Sequence, residues 1–174
     1  SSDVCSSDLN RLFYRVIRAI AWLICKILFR HRVEGHELLP RSGPFLLAVN
    51  HASNLDPVLA GISMHRPLAF MARSTLFKPA PIGWFLSQLN ALPLEREGVG
   101  IAGFRAVKAH LDGGGAALIF PEGTRSADGK LRRFKGGIVR LAKMAQVPVV
   151  PAYISGSSRA FGRGKWLQIG RAHV

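Results

Sequence analysis

Short apolar runs alternate with amphipathic stretches along most of this 174-residue chain. The apolar runs have the length of β-strands, and the stretches between them have helical spacing. Gly and Pro residues separate the two kinds of segment. Strands that alternate with single helices are typical of an α/β fold, a largely parallel sheet with helices on both faces. The predicted strands are 45–49, 68–72, 91–95, 116–120 and 148–154, and the predicted helices are 57–64, 82–89, 100–111 and 137–145.

The segment before the first predicted strand differs from the rest of the chain. Residues 10–30 predict one helix that is apolar except for cations at helical spacing. A bilayer-spanning helix needs about 20 apolar residues without charges through its centre. We therefore predict an interfacial helix, with its cations on lipid phosphates and its apolar side chains in the acyl region. A helix that packs on the core with a solvated basic face is the alternative. The cations, with the Trp between them, are Arg11, Arg15, Arg18, Trp22 and Lys26.

The charge balance indicates an anionic partner. The formal net charge is +14, which fits nucleic acid, an anionic membrane surface or phosphorylated substrates. Because 48% of the residues are hydrophobic, the membrane is favoured over nucleic acid. We expect no nucleic-acid partner.

Two polar motifs directly follow predicted strands. Residues 50–56 read Asn-His-Ala-Ser-Asn-Leu-Asp and follow strand 45–49, and residues 120–126 read Phe-Pro-Glu-Gly-Thr-Arg-Ser at the end of strand 116–120. In open α/β sheets, ligands bind beyond the carboxyl ends of the strands. The two motifs, together with Arg96 after the third strand, are therefore expected to meet at one edge of the sheet.

His51 and Asp56 in the first motif suit a general base and the acid that orients it. On a straight helix they would lie about 140° apart, so they can meet only if the chain turns between them. A histidine accepts a proton near neutral pH, and a carboxylate can fix its tautomer and stabilise the imidazolium. The alternatives are a structural histidine and a helix N-cap, since Pro57 suits the first turn of a helix.

The second motif offers a phosphate-binding group. A guanidinium matches two phosphate oxygens at once, so Arg125 and Arg96 are the phosphate candidates. An ordinary surface pair with a neighbouring Glu is the alternative for Arg96. Glu122 would orient Arg125 or the polar head of the substrate. Gly123 allows close backbone approach, and Thr124 and Ser126 add hydroxyl donors.

Four cations follow the second motif and extend its basic field: Lys130, Arg132, Arg133 and Lys135. The solvated surface is the favoured interpretation for each of them, and help with phosphate or the acyl carrier is the alternative. A base together with a phosphate-binding group predicts group transfer onto a phosphorylated alcohol. The histidines show no metal-ligand pattern, so no metal is predicted.

The two motifs resemble those of the glycerolipid acyltransferases typified by 1-acyl-sn-glycerol-3-phosphate acyltransferase. Asn-His-x-x-x-x-Asp and Phe-Pro-Glu-Gly-Thr-Arg-Ser are both present without a substitution, and 92–96 and 147–151 match two further motifs loosely. The resemblance covers about residues 10–160. It implies a glycerol-3-phosphate acyltransferase-like fold with catalytic residues His51 and Asp56. The substrate-binding residues that it implies are Arg96, Glu122, Gly123, Thr124, Arg125 and Ser126.

The resemblance also implies a reaction and a place. A fatty acyl chain would pass from acyl-CoA or acyl carrier protein to lysophosphatidic acid, forming phosphatidic acid, with no cofactor beyond that donor. The expected location is an anionic membrane surface, the cytoplasmic face of a bacterial inner membrane. Another lysophospholipid, glycerol 3-phosphate or a lyso-aminolipid remains open as acceptor. A non-enzymatic basic module that binds membrane or nucleic acid is a second class. A serine hydrolase is disfavoured because Gly-x-Ser-x-Gly is lacking.

The two ends of the chain share an unusual property at the nucleotide level. Residues 3–9 and 168–174 can be back-translated into strings that are reverse complements of one another and resemble a sequencing adapter. We therefore expect 1–9 and 168–174 to be artefacts, and genuine polar tails are the alternative. The remaining parts would be a membrane-associated helix (10–33) and an acyltransferase domain that is incomplete at its C-terminal end (34–167). Cys25 is then the only cysteine, so no disulfide is predicted.

Overall fold

The computed structural model of the chain describes residues 2–94, 101–162 and 173–174. The strands in these residues are β1 (Phe45–Val49), β2 (Leu68–Arg73), β3 (Ala91–Leu94), β4 (Ala116–Ile119) and β5 (Val149–Ala152). The α-helices are α1 (Ser2–Phe29), α2 (Asp56–Ser63), α3 (Ala80–Gln88), α4 (Ile101–Asp112), α5 (Gly137–Ala145) and α6 (Ser157–Phe161). Two short 3₁₀ turns cover His36–Leu38 and Ser74–Phe77.

The described strands form one sheet in the order β3-β2-β4-β1-β5, and every pair of neighbours is parallel. The predicted largely parallel sheet is therefore confirmed. Leu47 of β1 lies opposite Leu118 of β4 on one side and Val150 of β5 on the other. Because β1 and β4 are direct neighbours, the loops that follow them leave the same edge of the sheet side by side. This adjacency positions the two polar motifs.

Hydrophobic side chains cover the sheet on both faces. Successive residues of a strand point to opposite faces, so β1 contributes to two cores. Leu47 and Val49 pack with Cys25 of α1 and Leu59 of α2. Leu46 packs on the other face, in a cluster that also holds Leu111 of α4 and Leu141 of α5. The expected arrangement of helices on both faces is thus observed.

The boundaries differ from the predictions mainly near the ends of the described chain. Helix α1 begins at Ser2 rather than at residue 10. Its helical conformation over 2–9 does not test whether those residues are an artefact, so that assignment stays a prediction. Helix α6 was not predicted, because its five residues begin with two serines and follow Gly156, a composition typical of turns.

Helix α1 packs on the domain through one face. Tyr14, Cys25 and Phe29 are buried there. The guanidinium of Arg18 is half-buried and donates a hydrogen bond to the carbonyl oxygen of Met64, just beyond α2. At this position the helix faces the protein, which argues against the predicted contact of Arg18 with lipid.

The opposite face of α1 is apolar and exposed. Its members lie at helical spacing and are Leu12, Val16, Ile20, Leu23 and Ile27, each about half exposed or more. Arg15 and Lys26 are exposed along one flank of the helix. Among the described residues, no helix combines the length and the apolar character that crossing a bilayer requires.

Candidate active site

A tight turn after β1 brings His51 and Asp56 together. The Nδ1 atom of His51 lies 2.9 Å from Oδ2 of Asp56. The same oxygen accepts hydrogen bonds from the backbone N–H groups of Ala52 and Ser53, each at 2.7 Å. Asp56 is completely buried, whereas the side chain of His51 is 18% exposed. Three N–H donors converging on one oxygen suit an ionised carboxylate, and together they fix the turn.

The helix-cap interpretation of Asp56 is not what the structure shows. Asp56 is the first residue of α2, Leu55 takes the N-cap position, and no side chain caps the helix. The carboxylate turns back to N–H groups that precede the helix. Its other oxygen, Oδ1, is buried and has no hydrogen-bond partner in the described part of the chain.

The ring of His51 is held so that one nitrogen remains available. Because Nδ1 donates to a carboxylate, the neutral ring carries its lone pair on Nε2. Within residues 2–94, 101–162 and 173–174, Nε2 has no hydrogen-bond partner. The ring also stacks on Phe120, with centroids 3.9 Å apart and planes inclined by 15°. The site can therefore present an oriented proton acceptor.

Glu122 connects the second motif to His51. Its Oε1 atom accepts a hydrogen bond from the backbone N–H of His51 at 2.8 Å, and its Oε2 atom accepts one from the backbone N–H of Arg132 at 3.1 Å. The residue is 2% exposed. No hydrogen bond or ion pair joins it to Arg125 among the described residues, and the prediction that Glu122 orients Arg125 or the polar head of the substrate stays a prediction. The carboxylate connects two backbone segments.

Ser126 also supports His51 from the second motif. Its backbone N–H donates to the carbonyl oxygen of His51 at 2.7 Å, and its hydroxyl donates to Oδ1 of Asp128 at 2.8 Å. This hydroxyl and the backbone N–H of Lys130 hold the pKa of Asp128 below its ordinary value. The hydroxyl of the buried Ser126 is therefore engaged with Asp128, and its donation to substrate stays a prediction.

The remaining residues of the second motif face outwards. Gly123 and Thr124 are exposed, and Arg125 is half-buried. The guanidinium of Arg125 forms no hydrogen bond or ion pair with any residue that the structure describes, so its donors are available to an anion. Arg96, the other phosphate candidate, lies outside the described residues.

Two polar residues that the sequence did not single out anchor the catalytic turn. The amide of Asn50 accepts a hydrogen bond from the N–H of Ile154 at 2.6 Å and donates one to its carbonyl oxygen at 2.9 Å. The hydroxyl of Ser53 donates to the carbonyl oxygen of Phe161 at 2.7 Å. Both side chains are buried. The turn is thereby fixed to the chain that follows β5. The sequence feature that could have indicated this role is the position of Asn50, a polar amide directly after a buried strand.

No three His, Cys, Asp or Glu side chains lie close enough together to hold a metal ion in the part of the chain that the structure describes.

Comparisons with known proteins show which family this chain resembles in sequence. Residues 30–155 match the family model described as Acyltransferase. The 1-acyl-sn-glycerol-3-phosphate acyltransferase of Bacillus subtilis is 34% identical over 139 residues, which cover 77% of this chain and 68% of that protein. The chloroplastic 1-acyl-sn-glycerol-3-phosphate acyltransferase LPAT1 of Arabidopsis thaliana is 32% identical over 139 residues, which cover 78% of this chain and 39% of that protein.

A solved structure also resembles this one. The crystal structure of the 1-acyl-sn-glycerophosphate (LPA) acyltransferase PlsC from Thermotoga maritima superposes with a TM-score of 0.84 at 28% sequence identity. The match covers 97% of this chain and 68% of that one. The chain thus spans about two thirds of these two bacterial proteins and 39% of the chloroplast one.

Proposed function

Because this chain belongs to the acyltransferase family, we propose that it transfers a fatty acyl chain from an acyl thioester to the hydroxyl of lysophosphatidic acid, forming phosphatidic acid. The observation that carries the proposal is the contact between His51 and Asp56 at the carboxyl edge of a parallel sheet. The names of the relatives support the choice of acceptor.

The base in this reaction is His51. Its Nε2 atom takes the proton from the acceptor hydroxyl while the hydroxyl oxygen attacks the thioester carbonyl carbon. The tetrahedral intermediate then collapses, the carbon–sulfur bond breaks, and the thiolate leaves. The proton on Nε2 passes to that sulfur, which returns the imidazole to its neutral form. The lipid alcohol is the nucleophile, so no acyl-enzyme forms.

Asp56 keeps the base oriented during this cycle. Its Oδ2 atom lies 2.9 Å from Nδ1 of His51, so it stabilises the imidazolium that exists between the two proton transfers. The N–H groups of Ala52 and Ser53 hold the carboxylate in place while the charge on the ring changes. Little reorganisation is then needed, which is how preorganised sites lower a barrier.

Arg125 supplies the phosphate recognition that distinguishes this acceptor. Arg125 is half-buried and lies in the loop that supports His51. A phosphate bound to its guanidinium therefore holds the acceptor beside the base. Another lysophospholipid, glycerol 3-phosphate and a lyso-aminolipid are the competing acceptors. Acyl-CoA and acyl carrier protein are both candidate donors.

The membrane is the proposed partner of α1. The exposed apolar face of the helix lies opposite the face that packs on the domain, so the helix can lie between protein and lipid. Arg15 and Lys26 lie along one flank, where they can meet lipid phosphates. The proposed acceptor is a lipid, so the enzyme has to bind it at a membrane. We place the protein at the cytoplasmic face of a bacterial inner membrane, because the acyl donors are intracellular.

An acceptor panel tests the proposal. The purified protein is assayed with lysophosphatidic acid, a lysophospholipid with a larger head group, glycerol 3-phosphate and a lyso-aminolipid, each with acyl-CoA and with acyl carrier protein as donor. We expect the highest kcat/KM for lysophosphatidic acid with at least one donor. Preference for another acceptor would reassign the substrate. Vesicle binding without turnover of any acceptor would favour the non-enzymatic alternative.

A further inference from the structure

The segment after the second motif folds back over that motif. The backbone N–H of Lys135 donates to the carbonyl oxygen of Pro121 at 2.8 Å. The backbone N–H of Arg132 donates to Oε2 of Glu122 at 3.1 Å. Two hydrogen bonds donated by main-chain N–H groups, one to a carbonyl oxygen and one to a carboxylate, therefore hold residues 132–135 against the loop that supports His51.

The side chain of Lys135 lies directly across Gly123. A Cβ atom built on Gly123 would be 2.9 Å from Cδ of Lys135, 3.0 Å from Cε and 3.1 Å from Nζ. A side chain at position 123 would displace the end of this lysine, and the positive φ of +67° at Gly123 also favours glycine. A lysine usually extends into water on a flexible stem. Here Lys135 is exposed, but the outer part of its stem lies along the loop, which places the ammonium group beside the motif.

The nearby carboxylates are engaged with other donors. Glu122 accepts hydrogen bonds from backbone N–H groups on both oxygens. Asp128 accepts from the Ser126 hydroxyl and from the backbone N–H of Lys130. Within the described residues, neither of them forms an ion pair with Lys135, so its charge is available to an anionic ligand.

We propose that Lys135 binds the phosphate of the acceptor together with Arg125. The assignment rests on the proposed function and adds a residue to the substrate site that the sequence motifs do not contain. Lys135 lies over Gly123, two positions before Arg125 in the same loop. A phosphomonoester carries close to two negative charges at neutral pH, so two cations match it better than one. Arg125 offers paired donors and Lys135 a point charge.

Glu122 gives this phosphate site a fixed relation to the base. One of its oxygens holds the backbone of His51, and the other holds the segment that carries Lys135. A phosphate anchored at Lys135 therefore sets the distance between the glycerol hydroxyl and the base. Positioning of this kind makes a large contribution to the rates of two-substrate reactions.

The test compares an acceptor with phosphate and one without it. Lys135→Met removes the charge and keeps a stem over Gly123, Lys135→Arg retains a charge, and Lys143→Met in the last turn of α5 is the matched control. Each variant is assayed with lysophosphatidic acid and the donor that supports wild-type activity. Monoacylglycerol with the same acyl chain is the phosphate-free acceptor, and its inhibition constant replaces KM if it is bound without turnover.

We expect Lys135→Met to raise KM for lysophosphatidic acid about tenfold, the size of one charge-assisted contact, and to change the value for monoacylglycerol less than about twofold. Lys135→Arg should recover most of the loss, and Lys143→Met should resemble wild type. An equal loss for both acceptors, or no loss for either, would overturn the assignment of Lys135 alone. Absence of wild-type activity towards lysophosphatidic acid would overturn the proposed function, and this assignment with it.

Discussion

The Oε1 atom of Glu122 accepts a hydrogen bond from the backbone N–H of His51 at 2.8 Å, although 71 positions separate the two residues in the chain. The contact exists because β1 and β4 are neighbouring parallel strands, and the two residues lie in the loops that leave their carboxyl ends. The two polar motifs are thus one structural unit. A substitution in the second motif is therefore expected to alter the position of His51, the base in the first motif.

Replacing Glu122 with Gln tests that link. The amide keeps the shape of the side chain but can accept at one position only, so its NH₂ group would face a backbone N–H of His51 or Arg132. A buried donor left without a partner costs about 1–3 kcal/mol. We expect the free energy of unfolding in urea to fall by that amount and kcat to fall with it. Glu37→Gln, at an acid on the surface, is the control. A Glu122→Gln protein with wild-type stability and kcat would show that the brace is dispensable.

Replacing Arg125 with Lys tests phosphate recognition. The charge is retained, but the paired donors of the guanidinium are lost. We expect KM for lysophosphatidic acid to rise about tenfold, while KM for the acyl donor stays close to the wild-type value. Steady-state kinetics with each substrate varied in turn separates the two effects. Equal damage to both KM values would indicate that Arg125 is structural or belongs to the donor site.

The sequence predicts the sheet well, because buried parallel strands are short apolar runs with clear boundaries. The prediction for β1 is correct to the residue, since Pro44 precedes the run and Asn50 ends it. The same holds for α5, which starts after Gly136 and ends at Gln146 in a left-handed conformation. The five-residue helix α6 has no such pattern in its own sequence. It is stabilised by a contact with the turn at Ser53, so the sequence did not predict it.

The site is only partly predictable, because several contacts depend on how distant loops meet. The turn between His51 and Asp56 follows from local spacing. The partners of Glu122 and Ser126 do not, since their hydrogen bonds end on backbone atoms of another loop. Nor could the sequence show that Arg18 faces the protein, because α1 is apolar nearly all round and packing alone selects its inner face.

His31 gives stability a pH dependence. The ring is buried between α1 and α2, with Nε2 3.2 Å from the hydroxyl of Ser63. Burial, and then the charges of Lys26 and His173, hold the pKa of His31 below its ordinary value of about 6.5. Below pH 6.5 the unfolded chain therefore binds a proton that the folded protein resists. As the pH is lowered from 6.5 to the folded-state pKa of His31, the free energy of unfolding therefore decreases.

Replacing His31 with Gln should remove this dependence. For each pH unit below 6.5, the free energy of unfolding of the wild-type protein should decrease by up to about 1.4 kcal/mol more than that of the His31→Gln variant. Urea unfolding at pH 8.0 and pH 5.5 measures the difference. His65→Gln, at an exposed histidine, should keep the wild-type slope. Identical slopes for wild type and His31→Gln would show that the buried ring takes up its proton as easily as an exposed one.

The contact of α1 with lipid is tested on its two exposed cations. Each cation near an anionic surface contributes about 1 kcal/mol, and the attraction is screened over about 8 Å at physiological salt. Changing Arg15 and Lys26 together to Gln should weaken co-sedimentation with anionic vesicles and leave binding to neutral vesicles little changed. Arg18→Gln is the internal control, since it should lower stability rather than vesicle binding. Binding that resists both the double change and high salt would contradict a contribution from these cations and indicate that the apolar face alone holds the helix at the membrane.

The base is the centre of the proposed reaction, and His51→Ala measures its contribution directly. Removal of a general base costs about 10²-fold or more in turnover, so kcat for acylation of lysophosphatidic acid should fall at least that far. The variant should still fold, because the backbone bonds of His51 to Glu122 and Ser126 do not need the ring, although loss of the ring N–H to the buried Asp56 should lower the free energy of unfolding by about 1–3 kcal/mol. A folded His51→Ala protein that retains most of the wild-type kcat would contradict the mechanism.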